Sequence, residues 1–132
     1  LRAADKLKSI PPKILAVTVL TSINNLHEIN ITKSVGDQVV DLSKKAQKAG
    51  LDGVVSSGQE AKSIRQECGD NFLIVTPGIR MPDDPADDQK RTLTPQEAIH
   101  AGSNYLVIGR PITQAFMPTK VVGRILSTLE KI

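Results

Sequence analysis

Three times the chain repeats one punctuation: a glycine ends a segment of helical period, two residues follow, and a short apolar run begins. The junctions are Ala49-Gly50-Leu51-Asp52 before Gly53, Cys68-Gly69-Asp70-Asn71 before Phe72, and Ala101-Gly102-Ser103-Asn104 before Tyr105. With Ile14–Leu20, the runs are Gly53–Val55, Phe72–Val75 and Tyr105–Ile108. Their brevity and β-branched content predict strands buried on both faces of a sheet. A helix that crosses back over the sheet before each short loop favours parallel strands. Four βα units are expected.

The helices between the runs are legible too. Val35, Val39, Leu42, Ala46 and Ala49 recur at spacings of four and three, and Gly50 is the stop. Ser57 with Glu60 has the form of a capping box opening a helix that runs to about Cys68. Thr94-Pro95-Gln96-Glu97 repeats the box with proline at the first helical position, and Gly102 closes that helix. A last helix after Pro118 carries Val122, Ile125, Leu126 and Leu129 on one face.

A chain of 132 residues holds one domain, and 39% hydrophobic with 23% charged residues is an ordinary globular balance. The net charge of +3 is small and dispersed, and aromatics make up 2%, so neither the field nor the stacking surface of a nucleic-acid binder is present. The lone Cys68 excludes an internal disulfide framework and a cysteine zinc site, and it fits a reducing compartment. No apolar run approaches the ~20 residues of a membrane span, and Asp5, Lys6 and Lys8 interrupt any leader-like opening. The expectation is a soluble cytoplasmic domain with neither nucleic acid nor membrane as partner.

Unit counting decides the architecture. A (β/α)8 barrel takes about 250 residues and eight units, and four are present here. A doubly wound open sheet usually places a glycine-rich phosphate loop after its first strand, and none follows Leu20. The α/β class is therefore read as half of a TIM barrel, specifically its second half, one domain over residues 1–132. Residues 1–10 would be the tail of a preceding helix, and residues 14–132 the four βα units.

In such folds the working residues follow the carboxyl ends of strands. Those positions hold Thr21-Ser22, Ser56-Ser57, Thr76-Pro77-Gly78-Ile79-Arg80 and Gly109-Arg110-Pro111. Glycine lets a backbone N–H approach an anion, and guanidinium adds a forked, charge-assisted contact, so two strands ending in Gly and Arg suit phosphate. The Gly109-Arg110 pair equally fits a tight turn that ends in a surface arginine. Between Arg80 and the next helix, Met81–Arg91 is rich in proline and acid and is expected to be a loop over the strand ends. Its Asp83, Asp84, Asp87 and Asp88 do not match a calcium loop and read as a solvated run, while the amide of Gln89 could donate to phosphate.

These stretches resemble a known family. Ala16–Ser22, Gly50–Val55, Val75–Arg80, Asp87–Arg91 and Val107–Thr113 closely resemble, in order, the later strands and loops of bacterial orotidine 5′-phosphate decarboxylase. Asp87 departs from the pattern, where the family carries glycine. The resemblance runs from about Ile14 to the C-terminus and makes these units strands five to eight. It implies a lyase that converts orotidine 5′-monophosphate to uridine 5′-monophosphate and carbon dioxide, the last step of pyrimidine nucleotide synthesis. It implies no metal or organic cofactor, and usually a homodimer. By the same resemblance Thr21, Arg80, Gln89, Gly109 and Arg110 are substrate-binding residues, the last two forming the phosphate cradle.

The resemblance also implies what is absent. The family's chemistry rests on a lysine after strand two and an Asp-x-Lys-x-x-Asp motif after strand three. No such motif occurs here: Asp88-Gln89-Lys90 begins like it, but Leu93 stands at the second aspartate. No lysine sits at a strand end, His27 and His100 lie in a loop and a helix, and Cys68 at a helix end reads as packing. No catalytic residue is therefore expected in this chain, and alone it should be inactive. Half a barrel exposes two strand edges and an apolar face that seek a partner. Three arrangements follow: a complementary N-terminal half from another chain, two copies paired as a non-catalytic phosphate binder, or an inactive remnant of a truncated gene.

Overall fold

The computed structural model describes residues 11–27, 30–82 and 91–130. Four strands, β1 (Leu15–Val17), β2 (Gly53–Val55), β3 (Leu73–Thr76) and β4 (Tyr105–Leu106), form one sheet in sequence order, every neighbouring pair parallel. Helix α1 (Val35–Lys48) joins β1 to β2, α2 (Ala61–Cys68) joins β2 to β3, and α3 (Pro95–His100) joins β3 to β4. After β4 come the short α4 (Arg110–Thr113) and α5 (Pro118–Leu129). The four expected βα units are all present.

Alternation along the strands divides the sheet into two faces. Ala16, Val54 and Ile74 lie in one register row, and Val54 and Ile74 are fully buried with Val39 and Ala46 of α1 and Ile64 of α2. The next row, Val17, Val55, Val75 and Tyr105, faces the other way, and Val17 and Tyr105 at its ends are each 60% exposed. Helices cover one face. Among the described residues nothing covers the ends of the other.

The junction glycines act as stops through backbone shape. Gly50, Gly69 and Gly102 take φ of 80°, 78° and 108°, the region open to glycine. Two residues after Gly50 and after Gly102, a polar side chain extends the ladder. Asp52 accepts from the Ile14 N–H and from Lys13 Nζ, each at 2.8 Å, and Asn104 Oδ1 accepts from the Ile74 N–H at 2.9 Å. Arg65 of α2 donates to the carbonyls of Gly69, Asp70, Phe72 and Gly102 and to Asn104 Oδ1. This stitching closes the amino ends of the strands and leaves the carboxyl ends to the long loops.

Several expectations need correction. Strands β1 and β4 are shorter than the runs Ile14–Leu20 and Tyr105–Ile108, because each pairs with a single neighbour and regular pairing stops where that neighbour turns away. The Ser57–Glu60 box does not form. Ser57 Oγ accepts from the Gln59 N–H at 3.3 Å and caps a 3-10 turn, Gly58–Glu60, while the Glu60 carboxylate pairs elsewhere. The Thr94–Glu97 box does form, with Glu97 N–H donating to Thr94 Oγ1 at 3.3 Å and Thr94 N–H to Glu97 Oε2 at 2.8 Å. Residues 110–113, read as loop, make one helical turn behind Pro111. Of the α5 stripe, Ile125 is buried while Val122 and Leu126 stay exposed, since α3 and α4 pack on only part of that helix. The expected helix tail at residues 1–10 and the acidic run 83–90 lie outside the described residues.

Candidate functional site

Because all four strands are parallel, the loops after them meet at one end of the sheet. Thr21 follows β1 in the Thr18–Ser22 loop and is buried, at 7% exposure. Ser56 and Ser57 follow β2 directly and are buried; Ser57 Oγ reaches the Arg91 carbonyl at 3.4 Å. Arg80 follows β3. It is buried to 8% exposure, with Nη1 donating to the Ile79 carbonyl at 2.9 Å and its N–H to the Leu93 carbonyl at 3.0 Å. Gly109 and Arg110 follow β4, where Gly109 precedes the single turn of α4 and Arg110 is half-buried. Four of the five expected contact residues thus sit at the same end of the sheet, and Gln89 lies outside the described residues.

Gly109 is not a packing glycine. A Cβ there would meet no atom within 4 Å. Gly58 differs: a Cβ would come within 2.7 Å of Leu93 Cδ1 and 3.3 Å of Thr76 Cγ2.

One electrostatic feature at this end is not disclosed by the sequence. Glu60 Oε1 and Arg91 Nη1 form an ion pair at 2.6 Å, with side chains 10% and 7% exposed. Arg91 Nη2 also donates to the carbonyls of Val19 and Leu20, at 3.3 and 3.2 Å. Glu60 Oε2 and Arg91 Nε remain without a hydrogen-bond partner among the described residues. Burial pushes the Glu60 carboxyl above its ordinary range, and the guanidinium only partly offsets that cost. The partners stand 31 residues apart, so no local spacing points to the pair. The only hint was that Arg91 closes the Asp87–Arg91 stretch.

Other groups singled out from the sequence play structural parts. Cys68 is buried in the helix-side core, and burial raises its thiol pKa, as packing requires. His100 is exposed on α3, its Nδ1 2.9 Å from the Gln96 carbonyl. Among the described residues no three His, Cys, Asp or Glu side chains gather to hold a metal ion, and no helix is long and apolar enough to cross a membrane. The cleft beside Arg80, lined also by Met81, Pro82, Leu93 and Glu97, has a volume of about 180 Å³. Ligand pockets usually span about 300–1,000 Å³, so this cleft alone does not enclose a nucleotide.

The model of the orotidine 5′-phosphate decarboxylase / HUMPS family matches residues 1–125. The chain belongs to that family. It is 52% identical over 120 residues to an orotidine 5′-phosphate decarboxylase of Legionella pneumophila strain Corby, covering 89% of this chain and 52% of that one. It is 50% identical over 131 residues to the orotidine 5′-phosphate decarboxylase of Idiomarina loihiensis, covering 96% and 57%. Among solved structures, the orotidine 5′-phosphate decarboxylase of Lactobacillus acidophilus superposes with a TM-score of 0.71 at 41% identity, over 90% of this chain and 49% of that one. The chain thus spans about half the length of the decarboxylases it matches. Its four parallel strands alternating with helices correspond to part of that fold.

Proposed function

We propose that this chain supplies the nucleotide-binding, C-terminal half of an orotidine 5′-phosphate decarboxylase barrel. The whole barrel converts orotidine 5′-monophosphate to uridine 5′-monophosphate and carbon dioxide. The observation that carries the reading is the placement of Thr21, Arg80, Gly109 and Arg110 after the carboxyl ends of parallel strands in a chain of this family. Arg110 holds the phosphate through guanidinium hydrogen bonds, and the open space at Gly109 lets a phosphate oxygen reach the backbone N–H. Gln89 donates its amide to the same ligand.

The chain's share of catalysis is then binding and orientation. Energy gained at the phosphate, remote from the reacting carbon, fixes the pyrimidine where charge develops. The reaction leaves an electron pair on the ring carbon that loses carbon dioxide. The lysine that stabilises and protonates that carbon, and the aspartates beside the departing carboxylate, belong to residues outside this sequence. No metal or organic cofactor takes part. A complementary half supplies the other four βα units, and the assembled enzyme works as a homo-oligomer in the cytoplasm.

The test is complementation. The 132-residue chain alone should show no turnover of orotidine 5′-monophosphate, and a fragment carrying Asp-x-Lys-x-x-Asp should restore it on mixing. Turnover by the chain alone, or none from the mixture, would refute the division of labour. Arg110→Ala should weaken binding of uridine 5′-monophosphate by about 1–3 kcal/mol, the scale of a lost hydrogen bond to a charged group. Unchanged affinity would return Arg110 to a surface turn.

A further inference from the structure

We propose that Arg91 is a positioning residue, a clamp that locks the loops after β1, β2 and β3 into one geometry at the ligand end of the sheet. One guanidinium reaches the Glu60 carboxylate beyond β2 and the Val19 and Leu20 carbonyls that lead into Thr21. The Arg91 carbonyl accepts from Ser57 Oγ. Two residues on, Leu93 pairs with the Arg80 loop: Arg80 N–H donates to the Leu93 carbonyl at 3.0 Å, and Leu93 N–H to the Gly78 carbonyl at 3.4 Å. The segment Arg91–Leu93 therefore ties Thr21, Ser57 and Arg80 to one another, three loops that share no strand.

Stability does not explain the arrangement. A buried ion pair seldom outperforms apolar packing of the same volume, and this one leaves Glu60 Oε2 and Arg91 Nε without a hydrogen-bond partner among the described residues. What it does supply is a planar fork of fixed geometry able to hold a carboxylate and two carbonyls together. Loops held in advance spare a ligand the entropy of ordering them. That consequence for affinity rests on the binding function proposed above, whereas the clamp itself rests on geometry.

Arg91→Lys separates the two. An ammonium keeps the charge opposite Glu60 but cannot span all three acceptors. The Ile23 N–H, bonded to the Leu20 carbonyl at 3.0 Å, reports on the β1 loop. In this variant amide exchange at Ile23 should rise at least tenfold, the amides of α1 should keep their protection, and the dissociation constant for uridine 5′-monophosphate should rise at least fivefold. Glu60→Gln, which retains the shape and loses the charge, should loosen the same amide by a smaller factor. Exchange at Ile23 within twofold of the parent in both variants would overturn the clamp. A loosened loop with unchanged affinity would leave the clamp standing and overturn its consequence for binding. A parent chain that fails to bind the nucleotide would count against the proposed binding function, while exchange at Ile23 would still decide the clamp.

Discussion

At the scale of single residues, the sheet depends on Gly53 for space rather than for backbone freedom. It faces Leu73 in the parallel register, and a Cβ at that position would lie 2.2 Å from the Leu73 carbonyl oxygen and 2.5 Å from Leu73 Cβ. The obstruction is backbone, so no rotamer relieves it. Gly53→Ala must push β2 from β3 at the centre of the sheet. The expected cost is in the range of about 1–3 kcal/mol or above for overpacking, read as a lower urea midpoint with an unchanged slope. A midpoint equal to the parent's would mean that the strands are looser than their register implies. This requirement was hidden in the sequence, where Gly53 looked like the first residue of an apolar run. Sequence alone names the neighbour before and after a residue, not the one across a strand. Glu60 was misread for the same reason: its spacing from Ser57 fitted a local box, and a guanidinium 31 residues away outcompeted it.

At the scale of elements the sequence was more informative, because the signals that start and stop helices are local. The three glycine stops and the Thr94 box are where spacing put them. Strand lengths were not, since a strand ends where its neighbour does. The Thr94 box gives a prediction of its own. Thr94→Ala removes the acceptor for the Glu97 N–H and should cost about 1 kcal/mol, the usual loss for a helix cap. The box should also titrate. Hydrogen bonds from the Thr94 N–H and hydroxyl hold the Glu97 carboxyl below its ordinary value. A carboxylate with lowered native pKa stabilises the fold fully above its unfolded pKa and loses that contribution as pH falls through the native one. The Asp41, Asp52 and Glu67 carboxyls shift the same way, Asp41 through Lys45 and Lys33, Asp52 through Lys13 and Glu67 through Lys44. Thermal stability should therefore decline as pH falls below about 4, near the reference carboxylate pKa values. Added salt should shrink the part carried by the four lysine pairs, which are exposed and screened. In Thr94→Ala the decline should be shallower. Equal slopes in the two proteins would show that the box is not held through the Glu97 carboxylate.

At the scale of the whole molecule, large apolar side chains remain open to solvent on the face of the sheet opposite the helices and on α5. Val17 and Tyr105 end the uncovered row of the sheet, Val107 continues it beyond β4, and Leu126 and Val122 lie on α5 beside an open apolar cleft. Among the described residues β1 and β4 each pair on one side only, so both edges offer unpaired backbone groups to another chain. At tens of micromolar the isolated chain is expected to self-associate, eluting well above its monomer mass in light scattering. Val17→Lys with Tyr105→Lys places charge at both ends of the row without disturbing the row of Ala16, Val54 and Ile74 on the helix side. That double variant should run as a monomer with a thermal midpoint close to the parent's. If that face receives the complementary half proposed above, the double variant should also fail to gain turnover from a fragment carrying the catalytic motif. A parent chain that is already monomeric, or a double variant that still complements, would show that the barrel is completed through some other surface.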